Sequence, residues 1–144
     1  MSSTSIPNTL PGTNRFLNPG LWLAQILMAA LFIPVGIMKL STPIPELAKM
    51  LPFAAQYPEM FVRFVGLVDL LGGIGIILPA LTRIWPRGGL WAAIGIIALQ
   101  VLATAFHLMR GEAQSVPLNI ILIALALFVL WGRSSKAPIA PRWQ

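Results

Sequence analysis

Six polar side chains stand in otherwise apolar stretches of this 144-residue chain: Lys39, Asp69, Gln100, Thr104, His107 and Asn119. An amine, a carboxylate, an imidazole, two amides and a hydroxyl are the equipment of a proton relay, or of a site that fixes the polar head of a lipophilic ligand. Asp69 is the most demanding, since a charged group at the centre of a bilayer costs at least about 2.5 to 3.5 kcal/mol on insertion scales. It sits in RFVGLVDLLGGIGIILPAL, Arg63 to Leu81, among Gly66, Gly72, Gly73 and Gly75. Its candidate partners are Lys39 and His107, with protonation of the carboxyl itself as the alternative. Arg63, six residues earlier, points about 120° away around a helix and is a poorer partner.

The elements that must carry these groups follow from composition. Hydrophobic residues make up 57% of the chain and charged residues only 10%, against roughly 25% charged in soluble domains; mean hydropathy is +0.81. Four apolar runs stand out, at 21–40, 61–81, 89–108 and 116–131. Each approaches the ~20 helical residues that cross a hydrocarbon core. The expected architecture is all-α, a single four-transmembrane-helix bundle over 21–133. A flexible N-terminal tail at 1–20 and a basic C-terminal tail at 134–144 flank it. The first run is longer than a signal-peptide core and lacks a clean small-x-small cleavage site, so it reads as a retained helix.

Basic residues set the expected orientation. Arg15, Arg83, Arg87, Arg133, Lys136 and Arg142 fall on the side of both termini with no acid among them. Lys39, Lys49, Arg63 and Arg110 on the other side are offset by Glu46, Glu59 and Glu112. Both termini are therefore expected in the cytoplasm. Trp22, Trp85, Trp91, Trp131 and Trp143 at or beyond the same ends agree with a headgroup-level belt. The formal charge of +6 reads as a membrane-facing rim, since no nucleic-acid-binding motif accompanies it.

In this topology Asp69 and Gln100 each lie ~12 Å below the outer boundary. Gln100, Thr104 and His107 share one stripe of the third helix, and Gln25, Ala29, Phe32, Gly36 and Lys39 one stripe of the first. Gly66, Asp69, Gly72 and Gly73 share a face of the second, which small residues mark as a packing face. The connection 41–60 carries four prolines, and 46–51 is a candidate surface helix lidding the outer mouth, where Arg110 and Glu112 are gate candidates. Pro34 is expected to bend the first helix. GLW at Gly20 to Trp22 recurs at Gly89 to Trp91 as a faint parallel echo. Three of the site candidates carry a competing structural reading. An intramembrane carboxylate also locks helices together, a lone histidine near an interface also serves as a hydrogen-bonding group, and Lys39 also snorkels to headgroups. Gln25 reads as a packing residue.

The absence of cysteine removes thiol redox and thiolate metal sites, a single histidine forbids bis-histidine haem, and no metal site is expected. No P-loop, dinucleotide fingerprint or nucleophile elbow is present.

GIMKL at Gly36 to Leu40, GLVDLLGGIGIILPAL at Gly66 to Leu81, AFHLMRGE at Ala105 to Glu112, Asn119, and WGR at Trp131 to Arg133 together resemble the DoxX-like membrane proteins. The resemblance runs from about Leu21 to Arg133. It departs at Asp69, where the family usually has glutamate, one methylene longer. It implies a four-helix bundle in the bacterial cytoplasmic membrane, in a family whose name comes from subunits tied to quinone-coupled thiosulfate oxidation. Other members are linked to redox complexes or to the assembly of membrane partners. The leading expectation is a membrane subunit binding a quinone or other lipophilic molecule in its outer half. Asp69 would accept or relay a proton there, and Gln100, His107 and Lys39 would hold a polar head. As an enzyme it would be an accessory subunit of a quinone-linked oxidoreductase. The alternative is a non-enzymatic scaffold whose polar core only specifies packing; a transporter or channel fits the glycine-packed bundle less well. Expected partners are the bilayer, a redox or assembly protein and a second copy of the chain.

Overall fold

The computed structural model describes residues 16–142. Arg15, Trp143 and most of the expected N-terminal tail lie outside them. Five α-helices follow in order: α1 (Leu17–Ser41), α2 (Ile44–Met50), α3 (Glu59–Thr82), α4 (Gly88–Met109) and α5 (Val116–Trp131). All but α2 belong to segments long and apolar enough to cross a membrane. The first starts at Leu17, four residues ahead of the apolar run, because Pro19 is tolerated in a first turn whose N–H groups lack intrahelical partners. It runs unbroken past Pro34 to Ser41. The last run is the shortest as an α-helix, but a 3₁₀ turn before it and a π turn at Gly132–Lys136 extend the apolar span over Ala113–Lys136.

The four long helices pack as a ring in which α1 touches α3 and α5, and α4 touches the same two. Met28 and Phe32 from α1, Ile76 from α3, Ala93 and Ile96 from α4, and Leu122 and Ala126 from α5 meet at its centre. Large apolar side chains such as Leu31, Phe64, Leu102 and Ile120 face outward. Lipid is as apolar as leucine, so burial from water cannot drive these helices together; close packing at small residues does. The glycines of α3 divide between two neighbours. Gly66 and Gly73 lie against α1, while Gly72 and Gly75 lie against Ile96 and Ala92 of α4. The single packing face expected of Gly66, Asp69, Gly72 and Gly73 is thus two adjacent faces, because a helix in a ring has a neighbour on each side.

At the end of the bundle where α1 connects to α3, α2 and a 3₁₀ turn at Pro52–Ala55 fold back over it. Leu47, Ala54 and Val62 form a small second core there with Met38, Ile44 and Phe53 around it. The segment expected at 46–51 as a surface helix forms two residues earlier. Pro45 fits its first turn and Glu46 faces the positive end of its dipole.

Candidate functional site

Lys39 and Asp69 meet across the seam of α1 and α3 because two glycines let the backbones touch. A methyl group at Gly36 would lie 2.6 Å from the backbone nitrogen of Leu70 and 2.8 Å from the carbonyl oxygen of Gly66. One at Gly66 would lie 2.6 Å from the Cβ of Lys39. The lysine stem runs against the bare backbone of Gly66, and its ammonium reaches the carboxylate three residues further along α3. Nζ stands 2.6 Å from Oδ2, with the two side chains 12% and 6% exposed. Of the two expected counter-charges, the fold selects Lys39.

Arg63 has a different task. Its Nη1 donates to the carbonyl oxygens of Lys39 at 2.6 Å and Thr42 at 2.8 Å, and the guanidinium also pairs with Glu59 one turn earlier. It thereby closes the C-terminus of α1, where carbonyls lack intrahelical donors and the dipole favours a cation.

The lid sits directly above the ion pair. The Phe53 ring centroid is 5.7 Å from Lys39 Nζ, and the ring meets Phe106 of α4 edge-on at 6.2 Å. Tyr57 packs on both Phe106 and Phe61. Beside these rings Glu112 holds two partners: His107 Nδ1 donates to Oε2 at 2.7 Å and Arg110 Nε donates to Oε1 at 2.8 Å. An ionised carboxylate only accepts, so the Nδ1 position carries the proton. Arg110 Nη1 also donates to Gln56 Oε1 in the lid. The hydrogen bond from His107, then that from Arg110, holds the Glu112 carboxyl below the usual glutamate range. His107 therefore belongs to a clasp at the mouth and does not pair with Asp69.

Deeper in the bundle, Thr104 Oγ1 donates to the carbonyl oxygen of Gln100, one turn back on its own helix, at 2.7 Å. Gln100 and Asn119, from the packed helices α4 and α5, are 6% and 7% exposed. Gln100 Oε1 and Asn119 Nδ2 are buried with no hydrogen-bond partner among the described residues. Native interiors leave few such atoms unpaired. One of the two is an acceptor and the other a donor. On the lipid side of α3 and α4 an apolar groove of about 220 Å³ is lined by Val68, Leu71 and Gly72 and by Gly95, Ile96 and Leu99. Val68 and Leu99 are the chain neighbours of Asp69 and Gln100.

Three participants had little signal in the sequence. Phe53 and Gln56 lie in a proline-rich connection whose path no periodicity reveals. Arg133 reads as one basic residue of a rim, yet it is 7% exposed and bonded through Nε to Gln25 Oε1 at 3.0 Å. Gln25 in turn donates from Nε2 to the carbonyl oxygen of Ile76 at 2.7 Å. The available clue was Gln25 itself, in register with Ala29, Phe32 and Gly36 on the packed stripe of α1.

A four-helix, multi-pass membrane protein with a polar interior beneath a folded-back lid is the class these features define. The chain belongs to the DoxX-like family, whose profile matches residues 23–129. No curated protein and no solved structure matches it.

Proposed function

We propose that this chain is a small membrane subunit that takes a quinone, or a lipophilic molecule with a like head, in its outer half and supports a redox partner protein. We place it in the bacterial cytoplasmic membrane with both termini in the cytoplasm, on the excess of basic residues at that end. The observation that carries the reading is the pair of buried, unpartnered amide atoms, Gln100 Oε1 and Asn119 Nδ2. A quinone carbonyl accepts from an amide N–H, and the hydroxyl of its reduced form donates to an amide oxygen. The groove lined by Val68 and Leu99, the chain neighbours of Asp69 and Gln100, offers an apolar bed for a ring or tail. A bound quinone would supply the electron-carrying chemistry that no side chain here supplies. The chain's own residues would orient the head, hold charge balance through Lys39 and Asp69, and exclude water beneath Phe53 and Tyr57.

The test is native mass spectrometry with lipid extraction on gently purified wild type, Asn119→Leu and Gly95→Leu. Gly95 lines the groove and nothing lies within 4 Å of a Cβ built there, so the backbone admits a side chain that extends into it. A stoichiometric quinone in the wild type, reduced at least tenfold in both variants, supports the reading. Bulk phospholipid alone in all three samples sinks it.

One observation favours a scaffold as the second reading. Asp69 is engaged through Oδ2 by Lys39 at a glycine seam, and Thr104 is spent on its own helix. On that reading Asp69→Asn lowers stability or partner recovery and leaves the small-molecule content unchanged.

A further inference from the structure

We propose that a second site, at the basic end of the bundle, binds a phosphate group. A cavity of about 510 Å³ opens there between the ends of α3, α4 and α5 and the chain segment 138–141. Its polar wall includes Gln25, Arg87, Arg133 and Ser134, and its apolar wall includes Ile84, Leu90 and Val129.

Arg133 is the reason to look for an anion. Its Nε is bonded to Gln25, its Nη1 donates to Asn18 Oδ1 at 2.7 Å and to the carbonyl oxygen of Ala137 at 3.0 Å, and its guanidinium lies 5.3 Å from the Trp22 ring. Every one of these partners is neutral. Its Nη2 is buried with no acceptor among the described residues. A buried charge persists when it is paired, and this one has no carboxylate among the described residues. The chain's four acidic residues, Glu46, Glu59, Asp69 and Glu112, all belong to the other half. The deepest of them, Asp69, lies roughly 20 Å along the axis from the end of α3 and is already paired with Lys39. A second copy in the same orientation would bring no acid to this end either. Among the described residues no counter-charge is within reach, which makes this a site for an external anion.

The surroundings fit a phosphate on an amphiphile. Gln25 is fixed at both ends of its amide, which holds Arg133 in one position. Arg87 is exposed, lines the same cavity and has no carboxylate partner among the described residues. Arg83 holds the covering segment in place: its Nε donates to the carbonyl oxygen of Ala140 at 2.8 Å and its Nη2 to that of Pro141 at 3.2 Å. Planar guanidinium donors match the several acceptor oxygens of a phosphate. A cavity of this volume accommodates a headgroup and its glycerol. An anionic phospholipid and free phosphate share this chemistry, and the experiment separates them.

Full-length wild type, Arg87→Gln and Arg133→Gln are purified in detergent and titrated separately with phosphatidylglycerol, phosphatidylcholine and sodium phosphate. Lipid retention is read by native mass spectrometry and thermal stability in parallel. Expected is one phosphatidylglycerol held in preference to phosphatidylcholine, weakened roughly tenfold by Arg87→Gln, the size of one charge-assisted contact, and lost in Arg133→Gln. If sodium phosphate raises the melting temperature of the wild type but not of Arg87→Gln, with no lipid preference, the site takes free phosphate and the proposal stands. If Arg133→Gln does not fold, Arg87→Gln alone decides. Binding unchanged in Arg87→Gln, or neither lipid preference nor phosphate effect in the wild type, overturns it.

Discussion

Lys39 Nζ and Asp69 Oδ2 form a buried ion pair 2.6 Å apart. Removing one member of a buried pair leaves a bare charge where water cannot reach it, at a cost of about 3–5 kcal/mol. Lys39→Met is therefore expected to lower stability by that order. The double variant Lys39→Met with Asp69→Leu is expected to recover most of the loss, because two apolar groups carry no desolvation cost. Denaturant titration in detergent checks both; a double variant as unstable as the single one would show that the pair does more than cancel charge. Glu112 supports a prediction in pH. Its carboxyl is held below the ordinary range in the folded protein, chiefly by His107, so its contribution is fully present above the unfolded value, about 4.3, and is lost as pH falls through the lower folded value. The clasp of His107, Arg110 and Glu112 is expected to stay closed at neutral pH and to loosen only in that acid window. Amide hydrogen exchange of 110–115 against pH should show the transition in wild type and not in Glu112→Gln.

At the scale of elements the decisive contact is the one between α1 and α3. The atoms that a methyl group at Gly36 would strike are backbone atoms of Leu70 and Gly66, which cannot turn aside as a side chain can. Gly36→Ala is expected to cost about 1–3 kcal/mol by overpacking. By spreading the helices it should also lengthen the reach from Lys39 to Asp69, so combining it with Lys39→Met should cost less than the sum of the two alone. Thermal unfolding of the two single variants and the double variant tests this; simple additivity would mean that the seam and the ion pair are independent. The lid depends on the same helices, since Phe53 rests between Lys39 and Phe106 and Leu47 is buried above Val62.

For the whole molecule, charge is divided between two ends: basic residues without acids at one, a balanced set under a lid at the other. That division predicts orientation. The chain has no cysteine, so Gln114→Cys and Ser135→Cys each provide a single label at an exposed position of opposite ends. In intact cells a membrane-impermeant maleimide is expected to label Gln114→Cys, and Ser135→Cys only after permeabilisation. The reverse pattern would invert the topology. The two ends also hold different chemistry, a neutral amide pair and an ion pair under the lid and, at the other, a buried guanidinium with no carboxylate partner among the described residues, so each is testable without disturbing the other.

The sequence by itself determined the four spans, the all-α bundle, the family resemblance and the placing of Lys39, Asp69, Gln100, Thr104, His107 and Asn119 in one and the same half of the bundle. Hydropathy and a rise of 1.5 Å per residue are local quantities, and depth in a membrane is their direct sum. Only the tertiary structure decided who meets whom around the ring. It gave Lys39 rather than His107 to Asp69, turned His107 to Glu112, and spent Arg63 on the end of α1. It also left Gln100 Oε1 and Asn119 Nδ2 without partners and drew Arg133 inside to Gln25. Azimuth depends on which helices are neighbours and how closely glycines let them approach. A single helix's periodicity gives the face a residue occupies and says nothing of the helix that face will meet.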